Sequence, residues 1–225
     1  MKDKNQYVLK KEFFSSHTAT TKLIKKNSII LDLGCGDGSF SEYLKKNTKC
    51  LITGFDIKRI KKKKKFIFKK FTTHNLNLGL PKINLSKFNY ILLLDIIEHL
   101  DDPDKFLNEL SVKLKNNCNT KIIISTPNIA FFLIRFGLLF GSFNYSDRGI
   151  LDKTHKRFFT YNTLRISLKK INFKIIKEIG VPAPFALVVG NNFLSQLLSF
   201  INIILIYCSK TLFSYQMLFM VELRK

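Results

Sequence analysis

Residues 28–38 read Ser28-Ile29-Ile30-Leu31-Asp32-Leu33-Gly34-Cys35-Gly36-Asp37-Gly38, a short apolar run that breaks into three glycines at alternate positions. An apolar run of this length bounded by glycine reads as a buried strand, here 28–33, entering a tight loop. Residues 39–46 then read as a helix, with Ser39 as its candidate cap. Glycines in such a loop let the backbone approach a ligand that side chains would block. The helix behind presents free N–H groups to an anion such as a carboxylate. A dinucleotide fingerprint would place its third glycine one position later, where Ser39 stands. The next strand, 51–57, carries Asp56 near its end, about twenty residues on, where an acidic side chain accepts hydrogen bonds from ribose hydroxyls. Either feature alone is weak, because a glycine turn between strand and helix is often only a tight connection. In register, the two favour a nucleoside cofactor.

Outward from this loop, short apolar runs alternate with polar helical stretches, the pattern of a parallel sheet wound with helices. An ambiguous third strand falls at 65–71, where Phe and Lys alternate. Strands follow at 90–94 and 120–125, with a helix over 103–114 between them. Beyond Asn128 the alternation breaks. A mostly apolar stretch, 129–143, leads into a Gly/Asn/Asp/Arg-rich region and then Thr154-His155-Lys156-Arg157-Phe158-Phe159-Thr160. A helix over 162–170, a strand over 173–179, a second apolar stretch over 193–208 and a last strand over 215–223 complete the chain. No internal repeat or linker-like composition appears, so residues 1–225 read as a single domain with insertions at about 129–161 and 181–214.

A hydrophobic content of 46% and an aromatic content of 13% exclude a disordered chain. The formal net charge is +22. It reads either as a footprint for nucleic acid, anionic lipid or phosphate-rich substrate, or as compositional drift. Its even spread favours drift, and the dense run 61–65 reads as a solvated loop. Cys35, Cys50, Cys118 and Cys208 show no CxxC pairing, which argues against a zinc site or disulfide framework and suits a reducing cytosol. The polar N-terminal stretch lacks the apolar core of a signal peptide, and no run reaches the roughly 18–20 apolar residues of a membrane span. The expected location is cytoplasmic, with peripheral contact at the inner face of the membrane as an option.

The segment LDLGCGDG resembles the first motif of class I S-adenosylmethionine-dependent methyltransferases, and Gly54-Phe55-Asp56-Ile57 resembles the second. Asn75-Leu76-Asn77-Leu78-Gly79-Leu80-Pro81 resembles the third, with Asn75 where the family usually has Asp; an amide oxygen still accepts a hydrogen bond. Asp95-Ile96-Ile97-Glu98-His99-Leu100 resembles the motif after strand four in the group that includes ubiquinone-pathway O-methyltransferases. The run from Gly149 to Thr160, GILDKTHKRFFT, is similar to a bacterial subgroup linked to cell-surface glycan pathways. The resemblance implies a Rossmann-like α/β fold: a seven-stranded, mostly parallel sheet with helices on both faces and an antiparallel last strand. It implies S-adenosyl-L-methionine as cofactor. Gly34, Gly36 and Gly38 would line its methionine end, and Asp32 would hold its amino group through water. Asp56 would bind the ribose, Ile57, Asn75 and Leu76 would frame the adenine, and Leu94 and Asp95 would close the pocket near the sulfonium.

Methyl transfer from a sulfonium needs mainly alignment of the acceptor and exclusion of water, and a hydroxyl acceptor must also lose its proton. Asp95, Glu98 and His99 stand at i, i+3 and i+4, so a helical turn would put all three on one face. They read as a general base, His99, oriented by a carboxylate, or as ligands of a divalent metal, or as groups that only satisfy the loop. His155 and Arg157 read as an anion-binding pair for a phosphate or sugar carboxylate, or as part of a cap-fixing network with Asp152. His17 and His74 read as non-catalytic. The apolar insertions read as cap helices packed on each other over the cleft, or as an amphipathic surface touching a bilayer.

The leading expectation is O-methylation of a small-molecule, glycan or lipid-linked acceptor. The absence of an Asn/Asp-Pro-Pro-aromatic motif after strand four argues against nucleic-acid base methylation. A cofactor-binding accessory protein without methyl transfer of its own is the non-enzymatic alternative.

Overall fold

In a computed structural model of the chain, residues 14–115 and 119–224 are described. The polar N-terminal stretch and Cys118, both used above, lie outside the described residues. The chain runs α1 (Ser16–Leu23), β1 (Ile29–Leu33), α2 (Ser39–Thr48), β2 (Leu51–Asp56), β3 (Lys70–Thr73), β4 (Tyr90–Leu94), α3 (Pro103–Leu114) and β5 (Lys121–Pro127). It continues through α4 (Phe132–Leu139), α5 (Tyr161–Lys170), β6 (Phe173–Val181), α6 (Phe185–Val189), α7 (Phe193–Cys208), α8 (Lys210–Phe213) and β7 (Gln216–Leu223).

Seven strands form one sheet in the order β3-β2-β1-β4-β5-β7-β6. Strands β1 to β5 pair in parallel, while β7 runs antiparallel to both β5 and β6. Because the central strands are covered on both faces, they read as near-continuous apolar runs instead of alternating, β4 throughout and β1 and β5 up to Asp32 and Ser125. On β4, Ile91 and Leu93 point into one core beside Phe106, Leu110, Leu164 and Phe219. Tyr90, Leu92 and Leu94 point into the other, beside Ala19, Phe40 and Leu44. Helices α3 and α5 thus cover one face, and α1 and α2 the other. Burying each such Leu, Ile or Phe contributes about 1.5–3 kcal/mol, and this two-sided burial is what holds the strand tips in place.

Three local expectations change. The third strand begins at Lys70, because Lys62–Ile67 winds into a 3-10 turn that turns Ile67 into the core. The lysine run is a 3-10 turn instead of a loop: Lys61, Lys62 and Lys65 are exposed, as expected, but Lys64 turns back, its Nζ 2.8 Å from Asp37 Oδ2 and 2.8 Å from Ser39 Oγ. Ser39 is the first helical residue, not the cap. Gly38 takes the cap position at φ 79°, and the Asp37 carboxylate accepts from both the Ser39 amide and its hydroxyl.

The insertions also depart from the packed-cap expectation. They touch, with Phe132 and Phe213 rings 5.6 Å apart, but they do not bury each other. No residue of α4 or α6 is buried, and on the sixteen-residue α7 only Ser195, Asn202 and Ile206 are. Besides the buried Phe131, Ile150, Phe159 and Ile206, a polar contact ties the insertions down. Asn128, fully buried at the end of β5, donates to the carbonyls of Thr211 and Ser214, both at 2.9 Å. No helix among the described residues is long and apolar enough to cross a membrane.

Candidate active site at the C-terminal edge of the sheet

The strand order reverses between β1 and β4, and the crevice outside their carboxyl ends is where open α/β sheets take ligands. The loop after β1 lines that crevice. His17, Asp32, Gly34, Cys35, Gly36, Asp37, Ser39, Phe40 and Leu94 surround it.

Two of the glycines are there for different reasons. Gly34 has φ 80°, and a Cβ on it would stand 1.9 Å from Ile96 Cδ1, so the loop after β4 packs directly on its Cα. Gly36 has φ 59°, and a Cβ on it would meet nothing within 4 Å. The space over Gly36 is open and belongs to whatever the loop holds. The Gly36 amide donates to Asp56 Oδ2 at 2.7 Å, and the Lys58 amide donates to Asp56 Oδ1 at 2.8 Å. The loop and the acidic tip of β2, two separate signals in the sequence, are thereby one bonded unit. Each Asp56 oxygen keeps a second lone pair for a ligand hydroxyl.

Asp32 is buried beneath the loop and accepts a hydrogen bond from the Ser41 hydroxyl. Burial, opposed by that bond and reinforced by Asp56, pushes its carboxyl up to about 6. His17, read from the sequence only as non-catalytic, is buried with its ring stacked on Phe40 at 4.6 Å and forms part of the crevice wall. Only the packing of α1 against α2 could reveal it. On the adenine side, Leu76 is buried while Ile57 is 62% exposed. Asn75 Oδ1 accepts from the Asn77 amide at 3.0 Å, so it caps a turn and has one lone pair left. His74 bonds the Gly79 carbonyl at 2.8 Å, a structural contact.

The trio after β4 is not arranged as a helical face. Asp95 sits at φ 56°, a left-handed conformation that costs a non-glycine residue roughly 1–2 kcal/mol. It is held there by the Ser125 hydroxyl, which donates at 2.6 Å, and by the Gln216 side chain. The chain then makes a 3-10 turn at Ile97–His99. Asp95 is therefore drawn toward β5 and β7, and Glu98 and His99 meet a different partner. The Glu98 carbonyl accepts from the Lys156 and Arg157 amides, at 2.8 and 3.1 Å, which stitches the 152–157 loop onto the turn. One ligand atom each from Glu98, His99 and His155 then lies within 4.8 Å of the others. The two imidazole rings stand 4.8 Å apart, edge to face.

Both histidines have their tautomer set by backbone. His99 Nδ1 bonds the Thr154 carbonyl at 3.1 Å and His155 Nδ1 bonds the Ile150 carbonyl at 2.9 Å. A carbonyl can only accept, so Nδ1 carries the proton and Nε2 keeps its lone pair in each neutral ring. Burial, which outweighs the Thr154 bond, holds the His99 pKa below the usual imidazole value. Glu98 is 1% exposed, and neither carboxylate oxygen has a hydrogen-bond partner. Burial first, and then the nearby Asp95 charge, raises its pKa well above the usual range. Tyr215, beside Asp95 and Asp152, is pushed up to about 12, mainly by burial. Arg157 does not join His155: its guanidinium turns to Asp104 at 3.3 Å, and Asp152 caps the turn at Thr154.

A parallel sheet with a glycine loop and a bonded acidic residue at its switch point defines the class of nucleoside-cofactor-binding α/β proteins. The comparisons carry this further. The profile of a methyltransferase-domain family matches residues 6–178, most of the chain, so the protein belongs to that family and is a class I S-adenosylmethionine-dependent methyltransferase. Among solved structures, it is similar to a SAM-dependent methyltransferase from Archaeoglobus fulgidus, with TM-score 0.57 and 18% identity over 92% of this chain and 94% of that one. A SAM-dependent methyltransferase from Aquifex aeolicus gives TM-score 0.57 and 14% identity over 94% and 90%. The Burkholderia thailandensis 1,6-didemethyltoxoflavin-N1-methyltransferase, solved with 1,6-didemethyltoxoflavin and S-adenosylhomocysteine, gives 0.58 and 12% over 94% and 79%. No curated protein sequence matches the chain significantly.

Proposed function

We propose that the protein transfers a methyl group from S-adenosylmethionine to a hydroxyl of a small-molecule, glycan or lipid-linked acceptor, with His99 as general base. The observation that carries this reading is the fixed tautomer of His99. Its Nδ1 proton is committed to the Thr154 carbonyl and its pKa lies below the usual imidazole value, so at neutral pH Nε2 is an unprotonated acceptor. Gly34, Gly36 and Gly38 cradle the methionine end of the cofactor, Asp32 holds its amino group and Asp56 its ribose. Asn75, Leu76 and Ile57 frame the adenine, and Leu94 and Asp95 close the sulfonium end. His155 lies beside His99 on the acceptor side, while Arg157 contributes from the rim.

One observation favours a second reading of the same cluster. A buried carboxylate with two orphaned oxygens beside two imidazoles, each free at Nε2, fits a divalent cation better than the Asp95, Glu98 and His99 trio does. Glu98, His99 and His155 would hold it, and it would lower the pKa of a bound acceptor hydroxyl.

The test is methyl transfer to pools of sugars and quinone precursors, comparing wild type, His99→Ala and His155→Ala with and without chelator. Loss of turnover in His99→Ala alone, insensitive to chelator, supports the base. Chelator-sensitive turnover lost in both variants supports the metal. Unchanged turnover in His99→Ala refutes both.

A further inference from the structure

Helix α7 is inverted. Its polar residues Ser195 and Asn202 face the protein, and Asn202 accepts from the Ala183 amide and donates to the Phe213 carbonyl at 2.9 and 3.0 Å. Apart from the buried Ile206, its large apolar residues are half-exposed or exposed, with Phe193 79% exposed and Phe200 62% exposed. Val188 on α6 is 82% exposed, and Leu139 at the end of α4 is 81% exposed. A globular helix in water shows the opposite pattern, and a contiguous exposed apolar face marks an interaction surface.

Charge distinguishes the candidate occupants. Between Glu178 and Lys210 the chain has no charged residue, and between Asn128 and Asp147 it has only Arg135. The face therefore contains no acidic group, while the whole chain carries +22. A net charge of that size repels a second copy and draws the chain to an anionic bilayer, toward which the exposed Arg135 of α4 adds a basic group within the face itself. Topology places the face beside the chemistry. Strand β6 runs parallel to β5, since both are antiparallel to β7, so α4 and α6 leave the same sheet edge that carries the glycine loop and His99.

We propose that α4, α6 and α7 together seat in the surface of an anionic lipid bilayer, a one-sided contact that brings the acceptor site to lipid. The proposal extends the lipid-linked-acceptor reading above, and its test reads binding instead of turnover, so the two fail separately. The purified full chain is mixed with vesicles of phosphatidylcholine alone, or of phosphatidylcholine with phosphatidylglycerol, and floated by centrifugation at low and high salt. The expected result is co-flotation with the phosphatidylglycerol vesicles, weakening as the Debye length falls from about 10 Å at 0.1 M to about 3 Å at 1 M salt. Leu139→Glu/Phe193→Glu removes two outward apolar groups, leaves S-adenosylhomocysteine binding intact, and weakens flotation at least about tenfold. Should that variant fold poorly, Val188→Ser/Phe200→Ser makes the same reading without added charge. No flotation at low salt overturns the proposal. So does binding that both variants retain, because it is then carried by charge elsewhere. A wild-type dimer that neither floats nor survives the substitutions assigns the face to a second copy.

Discussion

Replacing Gly36 and Gly34 separately by alanine should divide the loop's ligand role from its packing role. Both residues have left-handed φ, 59° and 80°, so each alanine costs about 1–2 kcal/mol in backbone strain. At Gly36 nothing lies within 4 Å of the new methyl, and strain is the whole cost. For a chain of this size that lowers Tm by roughly 2–8 °C, at about 2–4 °C per kcal/mol. At Gly34 the methyl would stand 1.9 Å from Ile96 Cδ1, and overpacking adds about 1–3 kcal/mol, so the loss should be clearly larger. Binding should separate the two in the other direction. The Gly36 methyl projects into the open crevice where the cofactor would lie against the backbone, and S-adenosylhomocysteine affinity should fall at least about tenfold although Tm falls less than in Gly34→Ala. Thermal unfolding and titration calorimetry read both quantities. If Gly36→Ala binds S-adenosylhomocysteine like wild type, the loop does not hold the cofactor. If Gly34→Ala melts no lower than Gly36→Ala, the Ile96 contact is not a constraint.

The two raised carboxyls make pH-dependent predictions with a definite sign. Glu98 keeps its proton in the native state after the unfolded chain has lost it, so its contribution is fully present below the unfolded pKa and is lost as pH rises. In chelator, Tm of wild type should therefore decline from mildly acid to alkaline pH relative to Glu98→Gln, and parallel curves would disprove the buried-carboxyl reading. For Asp32, raised to about 6, the charged form needed by a cofactor ammonium is depleted below that pH. S-adenosylhomocysteine affinity should fall by up to about tenfold per unit below it, and Asp32→Asn should bind more weakly at neutral pH with a flat profile. A wild-type affinity unchanged down to mildly acid pH would rule out the assigned role.

Much of the cofactor half was legible because its determinants are local. Strand, glycine loop and helix are consecutive, and the Gly34–Gly36–Gly38 spacing fixes a backbone shape without help from the rest of the chain. Asp56 was found because a parallel strand pair sets its distance along the sequence. The acceptor half was misjudged where local spacing was asked to stand for tertiary geometry. Asp95, Glu98 and His99 fit a helical face by number, but Ser125 on β5 and Gln216 on β7 hold Asp95 in a left-handed conformation that ends that face. His155 joins His99 through hydrogen bonds from the Lys156 and Arg157 amides to the Glu98 carbonyl, bonds that span more than fifty residues. The inversion of α7 was equally hidden, since a run of apolar residues says nothing about which side faces the protein.

The sequence by itself determined the sheet, the glycine loop with its acidic partner, and the family, because burial pattern and backbone conformation are written residue by residue. Only the tertiary structure decided which histidine stands beside His99, that Glu98 is left without a partner, and that the insertions turn their apolar side outward. Those facts depend on which distant groups satisfy one another, backbone carbonyls for the two histidines and the Asn128 and Asn202 side chains for the insertions, and local spacing does not record pairings between positions far apart in the chain.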